Sequence, residues 1–162
     1  MVGETTLDCV YKRAIQLFKS GIAQDTIVNT SGKIEKPIPI LNSSGEVVSW
    51  FIGITVGERL VGFMQINTNL ELLRYSTFQR TPGSLSGCPM ASIWLNTNTI
   101  INLARTIAST QDELANPILT YDRSPPRIVW AVKATDKRGQ SKTIYVAGEY
   151  VYIKDENDAV EF

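Results

Sequence analysis

Glu46-Val47-Val48-Ser49-Trp50-Phe51-Ile52-Gly53-Ile54-Thr55, then Val56-Gly57-Glu58-Arg59, then Leu60-Val61-Gly62-Phe63-Met64-Gln65-Ile66, is the stretch from which the fold is read. Both arms are rich in side chains that suit a pleated surface, and the glycine-bearing middle can reverse the chain. The segment predicts an antiparallel hairpin. Upstream, Pro37-Ile38-Pro39-Ile40-Leu41 reads as a strand closed by the turn formers Asn42-Ser43-Ser44-Gly45. Downstream, Asn67-Thr68-Asn69 turns the chain into a short strand over Leu70 to Tyr75.

Helical spacing flanks this β region. From Thr6 to Ser20, the residues Leu7, Val10, Tyr11, Ala14, Ile15 and Phe18 recur every three or four positions, with Thr5 or Thr6 as the cap and Gly21 as the stop. Gln24 to Lys36 reads as a polar connector. Between Thr77 and Pro89, the residues Pro82, Gly83, Gly87 and Pro89 break both periodicities and predict a loop. A second helix is expected over Thr99 to Ser109, carrying Ile100, Ile101, Leu103, Ala104, Ile107 and Ala108, with Asn98 as its cap and a start as early as Ile93 as the alternative. Pro117 to Tyr121 is a short strand and Arg123-Ser124-Pro125-Pro126 a turn. Ile128 to Ala134 and Thr143 to Ala147 form a second hairpin around Asp136-Lys137-Arg138-Gly139-Gln140. Tyr150 to Ile153 is a last strand before the acidic tail Asp155 to Glu161.

The two halves share this order of elements, with Trp50 and Trp130 in corresponding strands. The expectation is an α+β fold in which an amphipathic helix packs on an antiparallel sheet, repeated twice. The first unit spans residues 1–80, a central loop 81–92, and the second unit 93–162; packing of both as a single domain is the alternative.

Composition narrows the function classes. Sixteen basic residues balance sixteen acidic ones, so no global positive field draws in nucleic acid. The local cluster Lys133, Lys137, Arg138 and Lys142 falls on the second hairpin and reads as a solvated turn. No stretch approaches the roughly 20 apolar residues that span a bilayer, and Met1 to Thr6 do not form the start of a signal peptide, so a soluble chain without membrane insertion is expected. The chain holds no histidine, which removes imidazole bases and the common histidine-containing metal sites.

The second half resembles PepSY domains, on Ile128-Val129-Trp130-Ala131-Val132-Lys133, Asp136-Lys137-Arg138-Gly139, Thr143-Ile144-Tyr145-Val146-Ala147 and Gly148-Glu149-Tyr150-Val151-Tyr152. In the first half, Gly45 to Ile52, Val61 to Ile66 and Leu72 to Ser76 look like the same unit, and the pattern is similar to the propeptides of streptopain-like cysteine proteases. The resemblance implies a cystatin-like packing of helix on curved sheet, an extracytoplasmic setting, and a role in holding a protein partner or restraining a peptidase. A streptopain-like propeptide is followed by a catalytic domain, and this chain has none; that departure points to a freestanding binding or inhibitory module.

The residues themselves offer little chemistry. Glu46, Glu58, Asp112, Glu113, Asp122 and Asp136 lie mostly in expected turns or at element ends, where acids face solvent, so no catalytic pair is expected. Neither a metal site nor a cofactor site emerges: Cys9 and Cys88 match no zinc spacing, and the glycines form no phosphate-binding pattern. A Cys9–Cys88 disulfide and two independent thiols both stay open. The expected function is a non-catalytic protein-binding module. Its partner-binding set is Pro82, Gly83, Ser84 and Leu85 from the central loop, with Trp130 and Tyr145 from the second hairpin. If two or more of Tyr145, Tyr150 and Tyr152 are exposed together, they become the binding-surface candidates. The alternative is a small-ligand or sensory domain with an apolar pocket between helix and sheet, lined by Trp50, Phe63, Trp130 and Tyr145.

Overall fold

A computed structural model describes residues 4–122 and 127–153. The turn expected at Arg123 to Pro126 and the acidic tail Asp155 to Glu161 lie outside the described residues. The helices are α1 (Glu4–Lys19), α2 (Thr26–Ser31), α3 (Ala91–Trp94) and α4 (Thr97–Arg105). The strands are β1 (Lys33–Ile34), β2 (Ile38–Leu41), β3 (Val47–Val56), β4 (Arg59–Asn67), β5 (Leu72–Thr77), β6 (Glu113–Leu114), β7 (Ile118–Asp122), β8 (Arg127–Thr135), β9 (Ser141–Ala147) and β10 (Tyr150–Ile153).

This corrects the expected architecture. Among the described residues, a ten-stranded mixed sheet dominates and the four helices are short, so the fold is not a helix-on-antiparallel-sheet unit repeated twice. The sheet is mixed because β2 runs parallel to β7, pairing Ile40 with Leu119. Thr120 Oγ1 reinforces that pairing by donating to the Leu41 carbonyl at 2.7 Å, across 79 residues. Alternation along a strand fixes which face each side chain takes but not which distant strand lies beside it. A parallel neighbour so far along the chain leaves no local signature.

The chain clusters into two compact units, one of Met1–Pro39 with Val47–Ala91, the other of Ile40–Glu46 with Ser92–Phe162. In the first, β3 and β4 pair around the two-residue turn Gly57-Glu58, with Val56 opposite Arg59 and Gly57 at φ +58°. One face of this hairpin joins Trp50, Ile52 and Ile54 to Val10 and Ala14 of α1 and Val28 of α2 in a buried core. Each such large apolar side chain contributes about 1.5–3 kcal/mol through burial. The other face is buried as well: Phe51 stacks on Phe63 at 4.7 Å, and Gln65 donates to Ser49 Oγ at 2.9 Å. α1 begins at Glu4, so Thr5 and Thr6 lie inside its first turn, and Gly21 at φ +88° follows its end. The expected polar connector contains α2, whose N-cap Asp25 accepts from the amides of Ile27 and Val28.

In the second unit, β7, β8, β9 and β10 pair antiparallel in chain order, and β6 adds to β8. Register places Leu119, Trp130 and Val146 on one face, all buried. Trp94 meets Trp130 with ring centroids 6.3 Å apart, and Trp130 Nε1 donates to the Trp94 carbonyl at 2.8 Å. α4 contributes Ile100 and Ala104, both fully buried. It is capped by Asn96, between the two expected starts at Ile93 and Thr99, and ends at Arg105, before the expected Ser109.

Candidate functional site

The opposite face of the β7–β10 strands carries the aromatic cluster. Pairing runs Ile118 to Ala131, Ala131 to Tyr145 and Tyr145 to Tyr152, so these four side chains form one row across four strands. At about 4.8 Å between strands, the row is roughly 14 Å wide. Tyr145 and Tyr152 stack at 5.5 Å with an interplanar angle of 20°. Tyr150, two residues before Tyr152, lies on the same face and is 78% exposed.

Charge fixes the cluster at one end. Arg127 lies over the Tyr152 ring, 5.8 Å from its centroid, and donates to the Tyr152 hydroxyl at 2.9 Å. The Tyr152 hydroxyl donates in turn to the Asp122 carboxylate, which also faces Arg127 at 3.5 Å. Asp122, expected as a solvent-facing acid, is 1% exposed. Burial, and then the hydrogen bond to Asp122, hold the Tyr152 phenol above its ordinary pKa of 10.0, with Arg127 opposing. Tyr152 therefore stays protonated through the neutral range, as a fixed donor with a rigid ring rather than a base. Residue type alone gives Asp122 as a solvent-facing acid and Arg127 no role, because the register that places them opposite each other is set by the fold.

The expected partner-binding residues do not converge. Trp130 and Tyr145 point to opposite faces of β8 and β9, because Trp130 pairs with Val146 while Tyr145 pairs with Ala131. Trp130 is buried, so only Tyr145 reaches the aromatic surface. Likewise Trp50 and Phe63 take opposite faces of the β3–β4 hairpin, Trp50 pairing with Ile66 and Phe63 with Gly53. The four aromatics expected to line an apolar pocket thus share no common face within either unit.

Pro82, Gly83, Ser84 and Leu85 belong to the first unit, where their loop folds back on its own unit. Gly83 donates its amide to Asp25 at 2.5 Å, Gln79 Nε2 donates to the Ser84 carbonyl at 3.2 Å, and Leu85 packs on the core. Further on, Leu60 donates to the Pro89 carbonyl at 2.8 Å, and an Arg59 guanidinium nitrogen donates to the Cys88 carbonyl at 2.9 Å. The loop is exposed over Arg80 to Gly83 and again at Ser86 and Gly87, while Ser84 and Leu85 between them are half-buried. Both cysteines are free thiols, Cys9 exposed and Cys88 buried.

Among the described residues, no group of three or more His, Cys, Asp or Glu side chains is placed to hold a metal ion. No helix among them is long and apolar enough to cross a membrane. No protein family, no curated protein and no solved structure matches the chain.

Proposed function

We propose that this chain is a non-catalytic binding module that recognises a protein partner through the face bearing Ile118, Tyr145, Tyr150, Tyr152 and Arg127. The observation that carries the reading is the Tyr145–Tyr152 stack, held by Arg127 and Asp122 beside the exposed Tyr150. Tyrosine and arginine are enriched where interfaces gain most of their affinity, because they offer large contact area with few rotatable bonds. A stack already fixed by pairing and ion contacts loses little further freedom on binding. Ile118, 39% exposed at the end of the row, adds an apolar anchor. The resemblance to PepSY domains makes a peptidase the first partner class to assay.

The test is to pan a random-peptide display library on the folded chain and on its Tyr150→Ala and Arg127→Ala variants. Peptides that bind the parent and lose about tenfold or more in affinity on either variant support the reading. Tyr150→Ala is the cleaner probe, because its side chain is exposed and its removal leaves the fold intact. No enrichment, or enriched peptides that bind all three proteins alike, overturns it.

A further inference from the structure

A second feature of the Ile40–Glu46 and Ser92–Phe162 unit shares no residue with the tyrosine surface. The β8–β9 turn and the connection from α4 to β6 enclose an open cleft of about 550 Å³. That volume falls within the roughly 300–1,000 Å³ common for small-molecule sites. Ala134 is the single apolar residue of the cleft walls, beside Ser109, Gln111, Gln140, Ser141 and a set of charged side chains, and the wall surface is close to evenly divided between polar and apolar atoms. Lys137, Arg138 and Lys142 bring three cations, and Asp112 and Asp136 two carboxylates.

The carboxylates are committed to the walls. Asp136 Oδ1 accepts the amides of Arg138 and Gln140, each at 2.9 Å, which fixes the turn. Asp112 Oδ2 accepts the Ser109 amide at 3.1 Å and faces Lys142 Nζ at 3.7 Å, with the Asp112 side chain only 7% exposed. Arg105 clamps the same connection from behind, donating to the carbonyls of Asp112 at 2.8 Å and Ser109 at 3.2 Å. The Lys137 ammonium and the Arg138 guanidinium, by contrast, have no hydrogen-bond or ion-pair partner among the described residues. The cleft thus has hydrogen-bonded walls, two acids each engaged through one oxygen, two unengaged cations and a fringe of hydroxyl and amide groups.

We infer that this cleft binds a small hydrophilic oxyanion, a phosphate ester of a polyhydroxy compound. Arg138 and Lys137 take the phosphate, since guanidinium and ammonium groups donate charge-assisted hydrogen bonds to its oxygens. Ser109, Ser141, Gln111 and Gln140 supply donors and acceptors for hydroxyl groups.

The experiment is an amide NMR titration of the full chain with ribose 5-phosphate, and in parallel with inorganic phosphate and with ribose. The expected result is saturable shifts at Ser109 and at Asp136 to Gln140 with ribose 5-phosphate, weaker binding of inorganic phosphate, and no response to ribose. Loss of both cations in Lys137→Ala/Arg138→Ala weakens binding by about tenfold or more. Lys133→Ala, which removes an exposed lysine of β8 outside the cleft, leaves binding unchanged and controls for general loss of charge. Absence of saturable shifts, equal weakening by Lys133→Ala, or unchanged binding in the double variant overturns the proposal. All the substituted side chains are exposed, so these variants retain the fold.

Discussion

The carboxylate of Asp25 accepts a hydrogen bond from the amide of Gly83 at 2.5 Å, across 58 residues of chain. The same side chain accepts the amides of Ile27 at 3.0 Å and Val28 at 3.3 Å. One acid therefore starts α2 and pins the exposed tip of the central loop. Asp25→Ala frees both, and the expected outcome is faster proteolytic cleavage between Arg80 and Gly87 and faster hydrogen exchange at the Gly83 amide. Cleavage at the parental rate would show that the loop is held without Asp25.

The same contacts set a pH dependence. Donation by Gly83, aided by Val28, Gln79 and Ile27 and opposed by desolvation, holds the Asp25 carboxyl below its ordinary pKa of 3.8. The unfolded chain then binds this proton at higher pH than the folded chain does. The stabilisation is fully present above the unfolded value of about 3.9 and is lost as pH falls through the lower folded value. Urea midpoints measured from about pH 5 down to about pH 2 should fall less steeply in Asp25→Asn than in the parent. Parallel slopes would exclude Asp25 as a contributor.

Gly62 of β4 marks a place where backbones approach closely. A Cβ there would lie 2.7 Å from the Ser76 carbonyl oxygen and 3.2 Å from the Tyr75 hydroxyl. The nearer atom is main chain in a paired strand, so it cannot turn aside. Gly62→Ala is expected to cost about 1–3 kcal/mol, read as a lower urea midpoint. An unchanged midpoint would mean that β5 shifts freely.

The turns show where the sequence was legible. Asn42, Asn67 and Asp136 each accept, through Oδ1, the amides two and four residues on. Three residues after each stands a positive φ, at Gly45, Leu70 and Gly139. Where glycine fills that position, in Asn42-Ser43-Ser44-Gly45 and Asp136-Lys137-Arg138-Gly139, the reversal is plain from residue type. In Asn67-Thr68-Asn69-Leu70 the position is held by Leu70 at φ +66°, so residue type alone starts β5 at Leu70 while the strand begins at Leu72. Leu70 packs against the core and its carbonyl accepts from Arg13 at 3.1 Å, which offsets the strain. Local hairpins were legible for the same reason that turns were. The parallel pairing of Ile40 with Leu119 was not, because it depends on which distant strands meet, and the burial of Asp122 and the Arg127–Tyr152 contact were not, because they depend on the exact register across successive hairpins.

Trp130 and Trp94 offer a test of the second core. Trp130→Phe keeps an aromatic ring on the buried face but removes the donor to the Trp94 carbonyl. The unsatisfied acceptor and the smaller ring together should cost about 2–4 kcal/mol, measured by denaturant unfolding. A cost below about 1 kcal/mol would indicate that the carbonyl finds another donor.

The two thiols should separate by reactivity. Cys9 is exposed on α1, whereas Cys88 is buried at the end of the central loop. Burial raises the Cys88 thiol above its ordinary pKa of 9.0, and the nearby Arg59 only partly opposes it. Both effects act against alkylation, since the thiolate is the reactive form and must also meet the reagent. With iodoacetamide at pH 8, one thiol, Cys9, is expected to react fast, and Cys88 to react slowly until denaturant exposes it. Peptide mapping of the first label identifies which is which. Asp25→Ala provides the second arm: if release of the Gly83 tip extends to the Leu85–Cys88 turn, where the Cys88 amide donates to the Leu85 carbonyl at 3.1 Å, labelling of Cys88 accelerates in that variant. Equal rates in the parent and the variant would mean that the Arg59 and Leu60 contacts alone keep the buried end of the loop closed.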